Sequence, residues 1–368
     1  MLGHKRIPSC EGGVEVVVEE LSVRMSELGH SVTCYNRKGH HVAGREFDAK
    51  HMSEFKGVKL KDVITIDKKG LAAMTASLFA SIAAAFGKYD VVHIHAEGPA
   101  FMCGLPKLFG KKVIVTVHGL DHMRAKWGKF ASRYILWGEK NAVRYADEII
   151  VLSQGVKDYF LSTYNRETKF IPNGVERKTK CPPEEITRKW GLTENGYILY
   201  IGRLVPEKGC HYLIDAFKQT KTDKKLVIAG STSDTDDYSR HLKELAEGDN
   251  RIIFTGFVQG RPKRELYSGA YCFSLPSDLE GMPLTLLEAM SYGSCCLVSD
   301  IAECTEVVED NAVIFKKSDI NDLRDKLQMI CDDKNLVESY KKNASDFICN
   351  KYNWDDVTDE TLKLYYSK

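Results

Sequence analysis

A chain of 368 residues exceeds the size of one ordinary hydrophobic core and suits two domains. With 43% hydrophobic residues, 28% charged residues and a formal net charge of +1, the composition excludes a generic nucleic-acid binder and leaves electrostatic recognition to local patches. The 11 cysteines are scattered without a C-x-x-C pair, which argues against a disulfide framework or a zinc cage and for a reducing cytosol.

Met1–Glu11 is polar and lacks the apolar stretch of a secretory leader; a first strand there has few apolar residues and must be short. Gly12 and Gly13 precede a helical pattern running to Gly29. Paired glycines at a helix start let a ligand approach backbone N–H groups, although a tight turn explains them equally well. Strands are expected over 31–36, 58–65, 90–96, 112–119 and 147–153, with helices over 71–87, 129–146 and 155–163 between them. The alanine-rich run 71–87 falls about one turn short of a bilayer span and reads as a buried helix. His93 and His95 share a strand face with Glu97 just beyond, and His118 ends an apolar strand with Gly119 and Asp121 following. Their spacing matches no recognised metal cage.

After a Pro/Gly/Asn-rich hinge near Asn173, the rhythm repeats with strands over 197–204, 225–230, 251–257, 271–277, 295–300 and 312–317. Alternation with near-continuous apolar strands means two parallel sheets covered on both faces, with ligands at the carboxyl ends of the strands and, if those ends face each other, in an interdomain cleft. Residues just after strands therefore carry the most information. Arg203 and Lys208, in "GRLVPEKG", suit a diphosphate, although solvated loop charges fit the same pattern. The loop is neither a Walker loop nor a G-x-G-x-x-G fingerprint. In "EGMPLTLLE", Gly281 and Pro283 shape a turn that would aim the N–H groups of Met282 and Leu284 at sugar or phosphate oxygens. Glu280 precedes the turn, and Glu288 follows inside the helix among Leu286, Leu287, Ala289 and Met290. Those neighbours imply a buried carboxylate in need of a partner, against the simpler reading of helix-start charge.

Taken in order, "GGVE", "HGLD", "IPNGV", "GRLVPEKG" and "EGMPLTLLE" resemble the two-domain GT-B retaining glycosyltransferases, specifically family 4 with its E-x7-E motif, over nearly the whole chain. "HGLD" with "AKWGKF" is similar to bacterial enzymes of capsule, exopolysaccharide and O-antigen assembly. The resemblance implies an α/β chain of two Rossmann-like, doubly wound parallel-sheet domains facing across a cleft. It places an acceptor-side domain over 1–172, a nucleotide-sugar-binding domain over 173–349, and a terminal helix over 350–368 packing back on the first. It further implies a cytosolic enzyme transferring sugar from a nucleotide-diphosphate sugar, with no cofactor and no metal.

By that resemblance Arg203 and Lys208 bind the diphosphate, Glu288 holds the ribose, and Glu280 with the Gly281, Met282, Pro283 and Leu284 segment positions the sugar. His118 contacts that sugar, and Gly12 and Gly13 close over the phosphates. The D-x-D within 233–237 reads as helix-start charge. Rival readings are a nucleotide-sugar epimerase or a phosphorylase of the same architecture, or a non-catalytic sugar-nucleotide-binding protein.

The acceptor side is sought in 122–148, where Lys126, Lys129, Arg133, Lys140 and Arg144 recur at helical intervals beside Trp127, Phe130, Tyr134 and Trp137. Residues 111–145 hold eight Lys/Arg against two Asp/Glu. Such a surface suits the inner face of a membrane or a lipid-diphosphate-linked or glycan acceptor, and equally a core helix with a solvated charged face. No second basic patch points to nucleic acid.

Overall fold

The computed structural model describes every residue except 10, 42, 49–51, 67, 69, 124–127, 233–235 and 368. The chain divides into two compact units, Met1–Asn173 with Trp354–Lys368, and Gly174–Asn353. The second break thus falls at Asn353 rather than 349, because Tyr352 accepts a backbone hydrogen bond from Val175 at the start of the second unit.

Unit 1 contains β1 (Thr33–Arg37), β2 (Glu54–Phe55), β3 (Val58–Val63), β4 (Val91–His95), β5 (Lys112–Val117), β6 (Glu148–Val151) and β7 (Lys169–Phe170). β3 pairs parallel with β1 and antiparallel with the short β2, while β4, β5, β6 and β7 form a parallel set in that order. The expected first strand is present as a single bridging residue. Leu2, fully buried, pairs with Ile94, donating to the His93 carbonyl (3.0 Å) and accepting from the His95 N–H (2.9 Å). On its other side Met1 accepts from the Tyr35 N–H at 3.1 Å. Counting the Leu2 segment as strand one, the parallel order is 3-2-1-4-5-6 with the short β7 added as a seventh strand at the far edge, the doubly wound arrangement with its switch point between Leu2 and β4.

The alanine-rich run forms helix Leu71–Phe86, and only one face is buried, through Ala76, Ala80 and Ala84 at four-residue intervals. Its ends Leu71 and Phe86 are exposed. Among the described residues no helix is long and apolar enough to cross a membrane, and the ten described cysteines are free thiols.

Unit 2 contains β8 (Tyr197–Ile201), β9 (Lys225–Ala229), β10 (Ile252–Gly256), β11 (Cys272–Leu275), β12 (Cys295–Ser299) and β13 (Val313–Phe315). All pair parallel, in the order β10-β9-β8-β11-β12-β13. β8, β11 and β12 are buried along their whole length, as strands covered on both faces must be. This is again a 3-2-1-4-5-6 sheet, and its switch point lies between β8 and β11.

Candidate active site

The two segments leaving that switch point in unit 2 meet at a charged pair. The chain after β8 passes through Gly202 and Arg203, then a short turn over Pro206–Lys208. Gly209 ends the turn at φ +65°, where a Cβ would stand 1.9 Å from the Pro276 carbonyl oxygen, so the loop is pressed against the chain leaving β11 and only glycine fits. The Tyr200 hydroxyl donates to the Arg203 carbonyl (2.9 Å), and the Asp278 N–H donates to the Glu207 carbonyl (2.9 Å). With both loops fixed, Lys208 Nζ lies 2.5 Å from Glu280 Oε1, and Ser277 Oγ donates to the same oxygen at 2.7 Å. Glu280 is buried and Arg203 half-buried. Beside them Glu207 is buried, and neither of its carboxylate oxygens has a hydrogen-bond partner among the described residues.

Gly281, Met282 and Pro283 are buried and lead into helix Leu284–Ser291. Glu288, the fifth residue of this helix, lies beyond its first turn. It is half-buried rather than enclosed, because Leu286, Leu287, Ala289 and Met290 take the inward positions. Its partner is Lys263, 2.7 Å away on helix Gly260–Gly269. Tyr267, one turn on from Lys263, stacks on Tyr292 (centroids 5.5 Å, planes 7° apart), and burial, with the Glu288 carboxylate beside it, pushes its hydroxyl far above the usual range. Neither Lys263 nor Tyr267 is singled out by local sequence. The only signal was that a carboxylate among apolar neighbours needs a cation.

In unit 1, Gly12 caps helix Gly13–Glu27 in an extended conformation (φ −170°), with no side-chain cap. A Cβ there would meet only the movable Glu15 carboxylate, so sterics do not demand glycine at this position. Carboxylates crowd the helix start: Glu15 Oε1 accepts from the Lys5 N–H (2.8 Å), and the buried Glu11 pairs with Arg6 (3.2 Å) and Lys5 (3.4 Å).

His118, half-buried beyond β5, shares a hydrogen bond of 3.2 Å between its Nε2 and His95 Nδ1. His95 stacks on His93 (centroids 4.2 Å), whose two ring nitrogens are engaged by the Tyr365 hydroxyl (2.6 Å) and Thr116 Oγ1 (2.7 Å). His93 therefore has no nitrogen left for a metal. Burial holds both His93 and His95 well below the usual imidazole range, so they are neutral.

A second cluster adjoins this one. Glu97, just past β4, and Glu139, on helix Lys129–Tyr145, are both buried and both face His122. Burial pushes the Glu97 carboxyl up to about 8, and the two carboxylates push His122 up to about 9. Sequence reading did not single out Glu139, although a signal existed. The buried positions of that helix are Ile135, Gly138, Glu139 and Ala142, so a glutamate stands in the apolar stripe. On the opposite side Lys129, Phe130, Arg133, Trp137, Lys140 and Arg144 are exposed, while Tyr134 turns inward against Phe101 (centroids 4.8 Å). Lys126, Trp127 and most of the D-x-D segment lie outside the described residues.

A parallel sheet in this order, with a lysine, a carboxylate and a helix start gathered at its switch point, makes a doubly wound α/β unit, and the chain contains two such sheets. Two family models account for nearly all of it: Glycosyltransferase Family 4 over residues 11–178 and Glycosyl transferases group 1 over residues 183–347. The chain is a glycosyltransferase of the GT-B fold.

It is similar to an uncharacterised glycosyltransferase of Methanocaldococcus jannaschii, 28% identical over 295 residues that make up 76% of this chain and 75% of that protein. The UDP-Gal:α-D-GlcNAc-diphosphoundecaprenol α-1,3-galactosyltransferase of Escherichia coli is also 28% identical over 295 residues, at the same coverage of 76% and 75%. Among solved structures, HepE of Anabaena in complex with UDP-glucose shares the fold with a TM-score of 0.81 at 18% identity, covering 98% of each chain.

Proposed function

We propose that this protein moves a sugar, with retention at the anomeric carbon, from a nucleotide-diphosphate sugar to a hydroxyl of a glycan or lipid-diphosphate-linked acceptor in the assembly of bacterial surface polysaccharide. The observation that carries this reading is the Lys208–Glu280 pair at the switch point of unit 2, fixed by Ser277 and by the glycine turn after Lys208. The similarity to a galactosyltransferase whose name includes a diphosphoundecaprenol acceptor, and to a fold relative that holds UDP-glucose, supports the choice of donor and acceptor classes.

In this reaction the bond between the anomeric carbon and the leaving phosphate oxygen breaks as the acceptor oxygen bonds that carbon on the same face. The acceptor's proton passes to the departing diphosphate. Negative charge grows on the leaving oxygens, where Arg203, Lys208 and the amides of the Gly281–Leu284 segment are assigned to stabilise it. These cations take the part that a divalent ion plays elsewhere, so transfer proceeds without added magnesium. Glu280, besides anchoring Lys208, retains lone pairs for a sugar hydroxyl. Glu288 is assigned to the ribose diol, with Lys263 holding its carboxylate in place. For unit 1 the reading assigns His118 to the transferred sugar and Gly12 and Gly13 to the phosphates. The exposed basic and aromatic face around Lys129 and Arg133 is assigned to an anionic lipid surface.

The test is a thermal-shift series with UDP, GDP, ADP and dTDP, with and without magnesium, repeated on Glu288→Ala. One nucleotide should raise Tm without metal and lose that effect in the variant. Absence of any shift would reject the donor assignment.

A further inference from the structure

We propose that unit 1 holds a structural transition-metal ion, zinc in its preferred form, bound by Glu97, His122 and Glu139 and separate from the sugar-transfer chemistry. The three residues come from three elements: the chain just past β4, the turn after His118, and the buried face of helix Lys129–Tyr145. One ligand atom from each converges on a common point, all within 4.8 Å of one another. His122 Nδ1 stands 3.3 Å from Glu139 Oε2 and 3.7 Å from Glu97 Oε1. Ligand bonds of about 2.0–2.1 Å to a tetrahedral zinc require neighbouring ligand atoms roughly 3.3–3.4 Å apart, so His122 and the two carboxylates need to move by a few tenths of an ångström to fill three positions, the fourth being left to solvent on the half-buried His122 side.

A second observation points the same way. Each carboxylate has one oxygen occupied by orienting donors: the Asp121 N–H on Glu97 Oε2 (2.7 Å), and the hydroxyls of Tyr159 (2.9 Å) and Tyr164 on Glu139 Oε1. The opposite oxygens, Glu97 Oε1 and Glu139 Oε2, are buried, as is His122 Nδ1, and among the described residues none of the three makes a well-formed hydrogen bond; they face only one another. Donors that fix one oxygen and turn the other toward a shared point are the outer shell of a metal site.

One nitrogen and two carboxylate ligands at this spacing suit zinc better than magnesium or calcium, which take six or more oxygens. The ion would hold the turn that follows His118 against the helix.

The experiment uses the full chain, stripped with chelator and then dialysed against buffered zinc. Elemental analysis should find one zinc per chain, lost in H122Q and in E139Q. Zinc should raise the Tm of the wild type by about 5 °C and that of the near-isosteric E97Q not at all. Since cysteines also bind zinc, the cobalt-loaded wild type should show visible d–d absorption without a sulfur-to-cobalt charge-transfer band. That spectrum decides the question even if a variant fails to fold. Failure of the wild type to retain metal, equal retention in the variants, or a thiolate band would overturn the proposal.

Discussion

The two units share a strand order and differ in what they bury. Unit 2 keeps its interior apolar, from Ile198 and Phe217 to Leu297 and Phe315. Its buried Glu265 and Glu280 each have a cation, Arg261 at 2.7 Å and Lys208 at 2.5 Å. The four buried histidines among the described residues, His4, His41, His93 and His95, belong to unit 1, together with Glu97 and Glu139. The same sheet can thus be built as a pH-tolerant platform or around a titratable interior. A buried carboxylate that faces a cation keeps its charge, whereas a buried imidazole without a carboxylate beside it is stable only while neutral.

The largest expected effect tests the platform. Lys208→Ala removes the cation that faces both Glu280 and the proposed leaving group, and should lower kcat by roughly 100- to 1,000-fold. Measured sugar transfer near the wild-type rate would break the diphosphate assignment.

Acid should separate the units next. His4 is held down at about 3 by burial, and His93 is lowered for the same reason. Between their depressed folded values and the unfolded value near 6.5, the unfolded chain binds more protons than the folded one. The stability these histidines contribute therefore falls as pH drops through this window, by on the order of a few kcal/mol in total, against an opposite gain from Glu97, which takes up its proton at higher pH in the folded chain than in the unfolded one. In unit 2, burial would raise the Glu265 carboxyl, but the Ile186 N–H and Arg261 outweigh it and leave it lowered, so its contribution is lost only below the ordinary glutamate range. Hydrogen exchange followed from pH 7 downward should show unit 1 amides losing protection first. Simultaneous loss in both units would erase the contrast.

The smallest effect concerns the surface of unit 1. Neutralising Lys129 and Arg133 together should weaken binding to anionic vesicles by about 2 kcal/mol, roughly 30-fold, at low salt. Vesicle cosedimentation unchanged by the double substitution would leave helix Lys129–Tyr145 as plain structure.

Much of this molecule is legible in its sequence because strands and helices announce themselves through local periodicity. The β-α alternation, the hinge near Asn173, and the positions of Arg203, Lys208, Glu280 and His118 just after strands all follow from short-range patterns, and the structure puts those side chains at strand ends. The sequence by itself determined two parallel α/β units and where their charged loops fall. Only the tertiary structure decided that one residue, Leu2, completes the order of the first sheet, because what makes it a strand is the pairing offered by His93 and His95, not its own polar neighbours. Tertiary structure also decided that Glu288 meets Lys263 and that Glu97, His122 and Glu139 converge. The physical reason is separation along the chain: partners that close a charge or build a ligand set are brought together by packing, and no local spacing encodes their meeting.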